Sequence, residues 1–61
     1  MIRTRYGSEV KIIKGDVEAG TVDVRTETGI RRGVWISELR SNGGINEIMN
    51  EIKKANEEGE V

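Results

Sequence analysis

Sixty-one residues with ten basic and eleven acidic side chains, and no cysteine, histidine or proline, set narrow limits on this chain. It makes one domain, with no disulfide framework or thiolate metal site and no imidazole to serve as a general base near neutral pH. A Ser–His or Cys–His nucleophile pair cannot form, so the expectation is no enzyme, no cofactor and no small-molecule substrate, but a binding or assembly module.

A domain of this size buries only about 60% of its unfolded surface. Its larger apolar residues are eight Ile, six Val, one Leu, two Met, one Trp and one Tyr. So thin a core makes self-association the natural supplement. No apolar run suggests a signal peptide or a membrane span, so a cytoplasmic location without membrane contact is expected. The formal net charge of −1 conceals an asymmetry, because residues 1–40 carry +2 and residues 41–61 carry −3.

Residues 2–6 and 10–14 read as a first hairpin around Gly7-Ser8. The side-chain pattern sets Tyr6 opposite Val10 and Thr4 opposite Ile12, with the register left open. Ile12 and Ile13 are adjacent and must point to opposite faces. Residues 15–20, GDVEAG, form a turn-rich connector, with Val17 and Ala19 leaning on the core. Asp16, Glu18 and Asp23 are too sparse for a calcium loop.

Residues 20–39 read as the organising hairpin. Thr26-Glu27-Thr28-Gly29 fits a type I turn closed by a glycine at positive φ, the common three-residue loop. That loop pairs Thr26 with Ile30, Val24 with Arg32 and Val22 with Val34 on the core face. It pairs Arg25 with Arg31, Asp23 with Gly33 and Thr21 with Trp35 on the other. A two-residue loop would set Val34 against Asp23 and bury less apolar surface.

Ser37–Arg40 suggests a short helical turn that inserts Leu39 into the core. Ser41 or Asn42 is the candidate N-cap of a helix over residues 44–56. Ile45, Ile48, Met49 and Ile52 make its apolar stripe, and Glu47 suits the positive end of its dipole. The expected fold is α+β: a curled four-stranded antiparallel β-meander with a C-terminal α-helix, one ββββα domain over 1–56. Residues 57–61 form a frayed acidic tail.

The short strands, the tight hairpin and the VWISEL segment that ends its second strand give residues 2–39 a resemblance to the SH3-like small barrels. It implies a partial barrel with a role in translation, transcription or peptide binding, although four strands are legible here and not five. The leading functional expectation is a homodimer formed through an apolar strip of Ile13 and Trp35. The alternative is a weak nucleic-acid binder that uses Arg25, Arg31, Arg32 and Trp35, with arginines on phosphates and a ring for a base. A third is docking on a protein partner.

Overall fold

The computed structural model describes residues 1–58. Five strands and one helix follow in the order β1 (Ile2–Thr4), β2 (Glu9–Asp16), β3 (Thr21–Thr26), β4 (Gly29–Trp35), a 3-10 turn (Ile36–Glu38), β5 (Leu39–Ser41) and α1 (Gly44–Glu58). The strands make one open antiparallel sheet in the order β4-β3-β2-β1-β5. The four-stranded expectation is therefore corrected to five. The fifth strand is only three residues long, too short for a periodic signal, and exists because the edge of β1 is free to pair with it.

The core lies between the sheet and α1. Ile2, Val10, Ile12, Val22, Val24, Leu39, Ile48 and Ile52 are buried, with Val34, Ile36, Met49 and Ala55 packed against them. Leu39 enters the core directly after the 3-10 turn, as its sequence context suggested. Ile45 does not, because it overhangs the first turn of α1 and stays exposed. Val17 and Ala19 are exposed as well, since β2 runs on to Asp16 and the following turn faces outward. The helix continues two residues past the expected end at 56, and the rest of the proposed frayed tail lies outside the described residues.

Two contacts lock α1 to β2. The Cβ that Gly15 lacks would stand 2.6 Å from Cγ2 of Ile52, so the absent side chain makes room for the helix. Asn56 then treats Gly15 as a strand would: its Oδ1 accepts from the Gly15 N–H at 2.9 Å, and its Nδ2 donates to the Gly15 carbonyl at 3.0 Å.

Both hairpins depart from the expected registers. In the first, Ile2 pairs with Val10 and Arg3 with Glu9. Thr4 closes the intervening turn, its Oγ1 accepting from the backbone N–H of Tyr6 and of Ser8 at 3.3 Å each. Tyr6 consequently belongs to the turn and not to a strand.

In the second hairpin, Thr21 pairs with Trp35 and Val22 with Val34 as expected. Beyond that point the register slips by one, to Val24 with Arg31, Arg25 with Ile30 and Thr26 with Gly29. The loop has two residues, tied by the Thr26 hydroxyl, which accepts from the Thr28 N–H and donates to the Gly29 carbonyl. A bulge at Arg32-Gly33 restores the pairing of Val22 with Val34, and Gly33 sits at φ +68°. The slip moves Ile30 off the core face, where it is 51% exposed, and separates Arg25 from Arg31.

A second bulge, at Ile13 in β2, faces the same residue from the other side. Asp23 is thus flanked by bulges on both neighbouring strands, and its Oδ1 accepts from the Gly33 N–H at 3.2 Å. Bulges bend a strand and increase its twist. Two lie at one level here, on either side of Asp23.

Candidate functional site

A cleft of roughly 250 Å³ lies between the β1–β2 turn and the β3–β4 hairpin. Val10, Val24 and Val34 line its interior, continuous with the core, and Thr4, Tyr6, Arg31, Arg32, Trp35 and Glu38 line it closer to solvent. The strands bring Arg31 and Arg32 in through the bulged part of β4. Trp35 ends that strand where the chain enters the 3-10 turn. On the other side the Arg5 N–H donates to the Glu38 carbonyl at 2.7 Å, holding the β1–β2 turn against the 3-10 turn.

Both aromatic residues of the cleft are exposed, Tyr6 to 75% and Trp35 to 57%. The Arg5 guanidinium carbon lies 5.1 Å from the centroid of the Tyr6 ring, within cation–π range. Glu38 is the only acid lining the cleft. Among the described residues the one ion pair is that of the Met1 amino group with Glu47 at 3.4 Å, so no carboxylate within 4 Å neutralises Arg31 or Arg32. The arrangement offers flat rings beside free guanidinium groups. It provides no paired acid and base, and among the described residues no three acids gather to hold a metal ion.

Of the residues named from sequence, Arg31, Arg32 and Trp35 meet here. Arg25 does not, because it lies on the outer face between Lys11 and Ile30. Ile13 and Trp35 do not form a strip either. Ile13 is half-buried in its bulge, and β3 separates it from Trp35, with Asp23 and Thr21 at the intervening positions. Tyr6 was the residue missed. Its only local sign is an aromatic set against a Gly-Ser turn, and its place in the cleft depends on the tertiary contact of Arg5 with Glu38.

Glu47, in the first turn of α1, is the one group among the described residues with a shifted acidity. A hydrogen bond from the Ser41 side chain lowers its pKa first, helped by the amino terminus and the Gly43 N–H. Ser41 also accepts from the Gly43 N–H at 3.3 Å, so it organises the helix entrance without being the N-cap. Among the described residues no helix is long and apolar enough to cross a membrane. No protein-family profile matches the sequence, and no curated protein or solved structure matches it.

Proposed function

We propose that this protein is a small non-enzymatic binding module, an open relative of the SH3-like barrels, whose cleft takes single-stranded nucleic acid weakly and with little sequence preference. The observation that carries the reading is the gathering of Tyr6, Trp35, Arg31 and Arg32 around one cleft with neither arginine ion-paired among the described residues. Every base has a π-face to stack on an aromatic ring, and arginine meets the phosphates between. The fifth strand supports the barrel relationship, because it supplies the element that the sequence lacked. A cytoplasmic setting is part of the same proposal.

Titration of oligo(dT) at low salt tests it. Trp35 fluorescence should be quenched, and with two arginines engaged log K should fall against log salt with a slope of about −1.4. Unmoved amide resonances of Arg31, Arg32 and Trp35 at saturating oligonucleotide would end this reading.

Self-association is the second reading, favoured by exposed Ile30 and Trp35 on β4, an edge strand. Edge strands readily pair with a second copy. Sedimentation across a wide concentration range separates the two: a constant monomer mass retires the homodimer.

A further inference from the structure

The sheet face opposite α1 carries a second set of cations, and it is a different surface from the cleft. Cross-strand partners share a face, and Ile12 and Val24 are a buried pair, so the exposed neighbouring pair Lys11 and Arg25 points outward. Across β1 and β5 the exposed pair is Arg3 with Arg40. Like charges set directly opposite one another oppose folding. This small sheet keeps two such pairs. Lys14, also exposed, adds a fifth cation beside Asp23. The acids on this face are Glu9, beside Arg3, Asp23, whose Oδ1 already accepts from the Gly33 N–H, and Asp16, opposite Thr21, whose Oδ1 accepts from the Ala19 N–H. Among the described residues none of the five cations is ion-paired. Helix α1, on the other side of the sheet, carries four acids and two lysines. The net charge of −1 therefore hides a polarised molecule.

We propose that this outer face grips the phosphate backbone of duplex nucleic acid. Arg3, Arg40, Lys11 and Arg25 stand on four neighbouring strands, which span about 14 Å at the usual strand spacing. That is comparable to the roughly 12 Å width of a major groove, so cations at the two sides can reach phosphates flanking it. The four strands contain no aromatic residue, and Trp35, on β4 opposite Thr21, lies at the far end of β3 from Arg25, so the row of cations itself offers no ring for unpaired bases and suits a duplex better than a single strand. A hollow of roughly 280 Å³ lined by Met1, Arg3, Arg40, Ser41 and Asn42 forms a seat at one end. Arg40 is oriented beside it, with Nη1 donating to the carbonyls of Ser37 at 2.6 Å and Leu39 at 2.9 Å.

Fluorescence anisotropy with a short labelled duplex at low salt tests the proposal independently of the cleft. With four cations engaged, log K should fall against log salt with a slope of about −3.6, and the double variants K11Q/R25Q and R3Q/R40Q should each halve that slope and weaken binding roughly tenfold. K11Q/R25Q should melt no lower than the parent, since it removes a like-charge pair and no hydrogen bond. Trp35→Ala should leave duplex binding intact while weakening oligo(dT). Duplex affinity unchanged in both double variants would overturn the proposal. So would phosphatidylserine vesicles binding in a Lys11- and Arg25-dependent way where the duplex does not. Failure of oligo(dT) alone would count against the cleft and leave the outer face standing.

Discussion

Strands β2 and β4 are of similar length and both border β3, yet they are used in opposite ways. β2 buries Val10 and Ile12, receives Ile52 over Gly15, and is clipped by Asn56. β4 has no buried residue. The difference follows from size. A helix of 15 residues is about 22 Å long and about 10 Å wide. Strands lie about 4.8 Å apart, so one helix spans about three of the five, here β2, β1 and β5. α1 packs on β2 and β5, and β4 is left at the uncovered edge. Stability is concentrated on one side of the sheet, which frees the other to hold rings and guanidinium groups in water.

The comparison can be broken most forcefully at Ile52. It is 1% exposed, so Ile52→Ala should cost ~2–5 kcal/mol through lost burial and the cavity left behind. In a domain this small that approaches the whole folding free energy, and the urea midpoint should collapse. A midpoint that barely moves would mean that the helix is not the keystone. Gly15→Val attacks the same contact from the strand. Its new side chain runs into Ile52 and should cost ~1–3 kcal/mol by overpacking, seen as a lower melting temperature and loss of the Asn56 side-chain amide from its protected position.

On the β4 side the effects should be smaller and of another kind. Gly33 has open space where a Cβ would go, so Gly33→Ala tests backbone strain alone. At φ +68° it should cost ~1–2 kcal/mol without removing any contact. An unchanged melting temperature would show that the bulge relaxes freely. Trp35→Ala should alter stability by no more than ~0.5 kcal/mol, the usual range for an exposed site, while abolishing the fluorescence response to oligo(dT). A large drop in stability would make Trp35 a structural residue instead.

The smallest effect belongs to the entrance of α1. Hydrogen bonding to Ser41 holds the Glu47 pKa below its ordinary value of 4.5. The ionised form is therefore favoured in the folded state, and its contribution is complete above that ordinary value. It is lost as pH falls through the lower folded pKa. Glu47→Gln should flatten the acid limb of the stability profile below about pH 4.5, with little change at neutrality. An identical acid limb in parent and variant would show that the entrance is held by its backbone.

Much of the fold was legible because it rests on local chemistry. The period of Ile48, Met49 and Ile52 announces the helix, alternation in β3 announces Val22 and Val24 as core, and Gly29 does take positive φ at 132°. The candidate site was legible only in part. Arg31, Arg32 and Trp35 lie close together in sequence and stayed together in space. Arg25 was assigned to them by a register assumed uniform along the whole hairpin.

That assumption marks the boundary between what the chain determines locally and what its tertiary structure decides. Periodicity, turn chemistry and composition act over a few residues, and they determine the helix, the strands, the apolar inventory and the absence of histidine and cysteine chemistry. Register, bulges and the partner of a three-residue strand are set by competition among distant segments for the same buried face. The bulges at Ile13 and Arg32-Gly33 flip the facing of every residue beyond them, which sends Ile30 outward and parts Arg25 from Arg31. The turn bearing Tyr6 and the strand bearing Trp35 come to line one cleft. No short stretch of sequence contains that outcome, because it takes the helix filling one side of the sheet to leave those residues on the other.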